Sequence, residues 1–380
     1  NRARESLATG VGRAIFRCFH EMGQRQLIVV LGMHRCGTSA LTGALHVMGG
    51  DLPENLLPGS EENTKGYFEP QAIVERNDVI LRAMGREWFD VGPTAFTQED
   101  LAVLRAQAAP LAETLASEYG SAALPIIKDP RISVLLPAWK EVTQTLPGGA
   151  AFIVAYRHPA AVSKSLGQRN DFTPVHCVAL WLHCLLRAEI GTRGLKRAFV
   201  NANTLVSDPI AELDRLGRVL DLPLNPDRPE VRRAIAKFIE PELLHPSGAT
   251  PSVLSALAEN VFRQLEVLSQ TPDSAEALAR LDELRADFDA VAPFMAEALH
   301  DLARARGEQL RVNKAAAKWL SRPGKVARNY LAYRLADGFL RLPVPLPSSV
   351  QDRVARAAKK RAPADVIRKW TGARAKDSGG

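Results

Sequence analysis

The sequence predicts an α/β fold in which a central parallel sheet lies between two helical layers, with a mainly helical C-terminal extension. Three observations lead there. Apolar, β-branched runs recur at 26–31, 124–128 and 151–156, and each runs into a polar or Gly/Pro-marked turn. Stretches of helical periodicity separate them. From about Pro251 onward the helical pattern takes over. Strands alternating with helices imply parallel pairing, and in such sheets ligands bind beyond the carboxyl ends of the strands. Segments 32–39, 128–131 and 157–165 are therefore expected to share one cleft.

The elements follow in chain order. Residues 26–31 form the first strand, Gly32–Ser39 a tight loop, and Ser39 to Met48 a helix. "DLPENLLPGSEENTKGYFEP" (51–70) is rich in Pro, Gly and charge and reads as a loop. "QAIVERNDVILRAMG" is an amphipathic helix ending at Gly85. "LPIIKDPR" carries a second strand over 124–128, cut by Pro130. "AAFIVAYRHP" carries a third, stopped by Pro159, with a helix from about Ala160 to Gln168. "VHCVALWLHCLLRAEIGTRG" is a long apolar-faced helix and "RAFVNANTL" a fourth strand. "DPIAELDRLGRVLDLPL" is a helix with Asp208 as N-cap and Pro209 at its first position. Beyond Pro251, Asp273 with Glu276 resembles a capping box. Leu278, Leu281, Leu284, Phe288 and Val291 make an apolar stripe suited to packing. The expected divisions are a lead-in over 1–24, a main domain over 25–250, a helical extension over 251–312 and a basic tail over 313–380.

Composition narrows the class. The 380 residues are 46% hydrophobic, enough for a sizeable core. No run approaches the roughly 20 apolar residues of a membrane span. Arg2, Arg4 and Arg13 precede no apolar signal region. The chain lacks an initiator Met, which suggests a processed or excised segment. Cys18, Cys36, Cys177 and Cys184 do not make a disulfide framework, so a reducing, cytoplasmic setting is the simplest expectation. His176-Cys177 and His183-Cys184 recur seven residues apart. That pattern is not a standard zinc spacing, and packing is the plainer reading; no metal is expected. The net charge of +7 is uneven: residues 301–380 hold 19 basic and 6 acidic residues, leaving 30 against 36 in the first 300.

The chemistry centres on Gly32-Met33-His34-Arg35-Cys36-Gly37-Thr38-Ser39. A strand, glycine loop and helix make a P-loop-type unit, whose N–H groups and helix dipole attract anions. A nucleoside triphosphate loop carries Lys after its second glycine. Here that position is Thr38, and the cation is Arg35 inside the loop. The bland alternative is a Gly-rich turn that binds nothing. In "YRHPAAVSKSL", Arg157 ends a strand and Ser165 follows eight residues later on a helix. The pair suits one phosphate; a surface carboxylate is the equal alternative partner for Arg157.

Together "GMHRCGTSAL" and "RHPAAVSKS" resemble the cofactor signature of sulfotransferases that use 3′-phosphoadenosine 5′-phosphosulfate. The resemblance covers roughly residues 25–245. "LLPGSEENTKGYFEP", "IIKDPR" and "LVSDPIAELDRLGRVL" are similar to a bacterial, carbohydrate-acting branch. It implies a three-layer P-loop-type α/β/α domain and in-line sulfuryl transfer to an acceptor hydroxyl or amine, without a covalent enzyme intermediate or a metal. Arg35, Cys36, Gly37, Thr38 and Ser39 would hold the 5′-phosphosulfate; Arg157 and Ser165 would hold the 3′-phosphate. Arg35 would neutralise the leaving oxygen where most relatives have Lys, and Lys128 would reach the transferring group.

An acceptor hydroxyl needs a base. Glu69, in "KGYFEP", is the leading candidate, ahead of Glu61, Glu62 and Asp129; a charge at a helix entry is its structural alternative. Tyr67, Phe68, Trp88 and Asp129 are expected to meet the acceptor, a saccharide or glycolipid, although "EWF" could equally be core. His34 adjoins the loop and reads first as structural. In "IEPELLHPSGA" only His245 and Gly248 remain of the family's basic closing motif. Two other readings stay open: a kinase-like phosphotransferase, with Mg²⁺ and a carboxylate near Ser39, and a non-catalytic module that keeps the nucleotide pocket.

In the tail, Lys314, Lys318, Arg322, Lys325 and Arg328 interleave with Trp319, Tyr330 and Leu331, before Pro343-Val344-Pro345-Leu346-Pro347. The stretch suits a linker to a fused domain, or peripheral contact with an anionic inner membrane; it suits nucleic acid less.

Overall fold

The computed structural model describes residues 26–59, 66–120, 122–239, 252 and 254–320, with side chains to 313. The chain divides into two compact units, at Gly307 and Glu308. The sheet and the site lie in the first. Glu61, Glu62, Cys18, His245, Gly248 and the tail residues named above fall outside the described residues or side chains.

The sheet has four parallel strands, β1 (Leu27–Leu31), β2 (Ile126–Lys128), β3 (Ala150–Tyr156) and β4 (Arg197–Asn201), in the order β2-β1-β3-β4. Val29 sits opposite Ile127 on one side and Phe152 on the other, and Val154 opposite Phe199. The strands read as continuous apolar runs because both faces are covered. Leu27, Val29, Leu31, Ile127, Phe152, Val154 and Phe199 enter one core. Ile28, Val30, Ile126, Ala151, Ile153, Ala155 and Val200 enter another. Period-two alternation thus divides the strand residues between two hydrophobic layers, giving the expected three-layer architecture.

The second layer is built on α1 (Thr38–Val47), α9 (Pro209–Val219) and α10 (Pro229–Phe238). The first takes α2 (Gln71–Ala83), α3 (Gln98–Ala106), α4 (Ala108–Tyr119), α5 (Leu136–Gln144), α6 (Pro159–Asn170) and α7 (Pro174–Thr192). It also takes α11 (Ser255–Gln270) and the start of α12 (Ala275–Leu320). Between β4 and α9 lies a short α8 (Ala202–Ser207).

Helix starts follow local chemistry. Asp208 caps α9 through Ala211 N–H, with Pro209 first, as expected. Thr173 caps α7, and the ring of His158 caps α6 ahead of Pro159.

Four expectations need correction. The run "RAFVNANTL" is strand only to Asn201, whose side chain accepts from Asn203 N–H and starts α8. The second strand begins at Ile126, because Leu124 N–H turns to the Asp51 carboxylate. Asp273 does not cap α12: its carboxylate meets Arg197 at 3.2 Å, and Ser274 Oγ accepts from Ala277 N–H. In the α12 stripe Leu281, Leu284 and Phe288 are buried but Val291 is 39% exposed; Ala277 and Ala292 complete the buried face. The sequence reading also assigned nothing to 98–119, where α3 and α4 lie.

The paired His-Cys dipeptides of α7 serve packing. His176 Nε2 meets the Phe89 carbonyl at 2.8 Å and His183 Nδ1 the Gly92 carbonyl at 2.7 Å. Cys177 and Cys184 are buried free thiols. No group suited to hold a metal ion occurs among the described residues. No helix among them is long and apolar enough to cross a membrane.

Candidate active site

The strand order brings the ends of β1, β2 and β3 side by side, and β1/β3 is the point where the sheet's winding reverses. The loop after β1 is shaped by backbone conformations that side chains resist. Gly32 has φ 133°, and a Cβ there would fall 2.3 Å from the Ala155 carbonyl oxygen. Gly37, at φ 82°, is the N-cap of α1 and supplies no side-chain cap. Thr38, Ser39 and Ala40, in the first turn whose N–H groups the helix does not satisfy internally, line the cavity. Arg35 is itself left-handed, at φ 70°. Gly32 N–H donates to Ser133 Oγ at 2.9 Å, which ties the loop to the turn after β2.

The two motifs meet. Arg35 Nε donates to Ser165 Oγ at 2.7 Å, across 130 residues of sequence. Arg157, buried at the end of β3, lines the same cavity. Burial lowers its pKa, and the charge of Arg35 adds to that. The Arg157 carbonyl accepts from Trp181 Nε1 at 3.0 Å, which anchors the strand end on α7.

Opposite the loop, Lys128 and Glu69 form a buried ion pair, Nζ to Oε1 at 2.5 Å. Lys128 also donates to the Tyr67 carbonyl at 3.0 Å and to Ser39 Oγ at 3.4 Å. Ser39 Oγ donates to the same carbonyl at 3.3 Å. Arg131 Nη1 lies 3.9 Å from the second oxygen of Glu69. Burial raises the Glu69 pKa; the charge of Lys128 pulls it back and that of Asp129 pushes it up.

Tyr67, Phe68 and Phe238 line the cavity, Phe68 in a left-handed conformation (φ 56°) and edge-on to Phe238 at 5.9 Å. Among the described residues, Arg35, Lys128, Arg157 and Arg169 line it against one carboxylate, that of Glu69. That imbalance suits a multiply charged anion.

Three residues take other places. The Cys36 side chain enters the core, and burial pushes its thiol up to about 12, so it offers the cavity no thiolate. Trp88 packs among Phe89, Phe172 and the His34 ring, which it meets at 4.8 Å, and does not line the cavity. Asp129 is wholly buried: Oδ1 accepts from Arg131, Oδ2 from Asn77. It holds Arg131 beside Glu69 and does not line the cavity.

Sequence reading missed Arg169, Ser133 and Phe238. Arg169 stands four residues after Ser165 on α6, a spacing that shares a helix face, and its guanidinium lies 5.8 Å over the Trp88 ring. Ser133 and Phe238 are brought to the site from separate elements and carry no local signal. Gly43 makes room for the Phe238 ring, which a Cβ would meet at 2.1 Å.

No protein-family model and no curated protein sequence matches the chain. Solved structures similar to it include the sulfotransferase domain of the Synechococcus PCC 7002 olefin synthase, at 16% identity and TM-score 0.38 over 63% of this chain and 94% of that one. A sulfotransferase from Mycobacterium tuberculosis H37Rv is 15% identical, with TM-score 0.33, over 60% of this chain and 78% of its own. A sulfotransferase domain of the curacin biosynthetic pathway is 16% identical, with TM-score 0.33, over 61% and 82% respectively.

Proposed function

We propose that the protein transfers a sulfuryl group from 3′-phosphoadenosine 5′-phosphosulfate to an acceptor hydroxyl or amine, on a saccharide or glycolipid. The observation that carries the reading is the Arg35–Ser165 hydrogen bond. It joins the loop that would take the phosphosulfate to the helix that would take the 3′-phosphate, with Arg157 in the same cavity. When bound, the donor supplies an activated sulfuryl group and a phosphate leaving group.

The protein's part is electrostatic and geometric. Loop N–H groups and Arg35 would stabilise charge developing on the leaving oxygen. The planar fork of Arg35 gives it a role there of charge and orientation. Lys128 bridges the loop hydroxyl of Ser39 and the carboxylate of Glu69. A sulfuryl group arriving beside Ser39 would compete for this ammonium, and Glu69, freed in part, would accept the acceptor's proton.

An Mg²⁺-dependent phosphotransferase fits less well. The Lys128 ammonium already lies 3.4 Å from Ser39 Oγ, beside the hydroxyl that would have to hold the metal.

Calorimetry with 3′-phosphoadenosine 5′-phosphate, without Mg²⁺, tests the reading. Binding should be saturable and weaker for the analogue lacking the 3′-phosphate. Arg157→Ala should weaken it by about 10- to 100-fold, the worth of a charged hydrogen-bond partner. Indifference to the 3′-phosphate, or Mg²⁺-dependent ATP binding in its place, overturns the proposal.

A further inference from the structure

A second cavity, of about 320 Å³, opens on the first-layer side of the sheet between α5, α7 and the strand-free segment before α3. Its wall is apolar along Phe96, Leu136 and Ile190, with Arg187 at its base and Lys140, Glu141 and Gln144 at its mouth.

Arg187 is the unusual group. It is 3% exposed. Its guanidinium stacks 3.9 Å over Phe96 and donates to the carbonyls of Val134 (3.2 Å), Pro93 (2.8 Å) and Ala95 (3.5 Å). Nε has no hydrogen-bond partner, and no ion pair forms at this residue among the described residues. Arg197, as deeply buried and also unpartnered at Nε, pairs instead with Glu189.

The acidic groups nearest Arg187 are committed elsewhere. Asp100 pairs with Arg86 at 2.8 Å; Asp289 accepts from Thr94 N–H and Oγ1 and faces Arg285. Glu141 stands at the mouth, within the field of Arg105. Burial pulls the Arg187 pKa down to about 9, the cost of keeping a charge without a counter-ion.

We propose that this cavity is a second binding site, for a small carboxylate with an apolar body. The carboxylate would neutralise Arg187 with help from Lys140, and the apolar part would lie on Phe96, Leu136 and Ile190. The volume matches the lower range of small-molecule pockets, roughly 300 Å³ and up. Ser133 belongs both to this wall and to the hydrogen bond that holds Gly32, so an occupant would touch the support of the phosphate loop.

Sodium benzoate is a suitable probe and benzamide its neutral control. Calorimetry on the full chain should show saturable benzoate binding, with benzamide at least about 10-fold weaker. Gln144→Trp, at an exposed position of the mouth, should block the cavity and weaken benzoate by at least about 10-fold. Its thermal midpoint should stay at the wild-type value. Arg187→Met should do the same to benzoate; if it does not fold, Gln144→Trp decides. The proposal is overturned by no saturable binding, by equal binding of benzamide, or by benzoate binding that Gln144→Trp leaves intact.

Discussion

At the scale of single residues, the Lys128–Glu69 pair is the chemical centre of the candidate site. The sequence offered the two as separate candidates; the 2.5 Å contact couples them. Removing one partner of a buried pair strands the other charge. Lys128→Ala should therefore cost about 3–5 kcal/mol in denaturant unfolding. Glu69→Gln keeps the shape, and under the proposed chemistry should lower kcat by about 10²- to 10⁴-fold. The pH dependence has a definite sign. A base acts when ionised, and burial raises the Glu69 pKa above its ordinary 4.5. The ascending limb of kcat/KM should lie above pH 4.5 and vanish in Glu69→Gln.

At the scale of elements, α7 carries two buried histidines whose pKa burial depresses, His176 and His183, and half-buried His34 in the loop after β1 is lowered the same way. Each stays neutral in the fold while its unfolded counterpart takes a proton below 6.5. Stability is therefore fully present above that pH and is lost as pH falls toward the folded values. Thermal midpoints should drop between about pH 6.5 and 5, before most carboxylates titrate, and His183→Asn should flatten the drop. The loop after β1 makes a second element-scale case. Gly32→Ala would force a Cβ into the Ala155 carbonyl at a left-handed φ. It should destabilise the fold by more than the roughly 1–2 kcal/mol of left-handed strain, and weaken anion binding with it.

At the scale of the whole molecule, helices beyond Pro251 complete the first hydrophobic layer. Val261, Leu265, Leu281, Leu284 and Phe288 are buried in the same core as Val29 and Phe152. Phe288→Ala should thus cost about 3–5 kcal/mol, as a large-to-small core change does, and should unfold the sheet cooperatively with α12. An independent C-terminal helical unit would melt on its own.

Much of this was legible in the sequence. The strand–loop–helix unit, the Asp208-Pro209 start and the apolar strands were readable because they rest on local rules: period-two burial, caps, and glycines where side chains clash. Arg35, Arg157 and Ser165 were legible as motif members. The sequence alone determined that a parallel sheet would set three loops at one edge. Only the tertiary structure decided what those loops do to one another. It engaged Arg35 with Ser165 and Lys128 with Glu69, buried Asp129 against Asn77, drew Trp88 into an aromatic cluster and left Arg187 without an ion pair among the described residues. The physical reason is that hydrogen bonds and ion pairs across 52 to 130 residues depend on distances in space, and no local spacing encodes them.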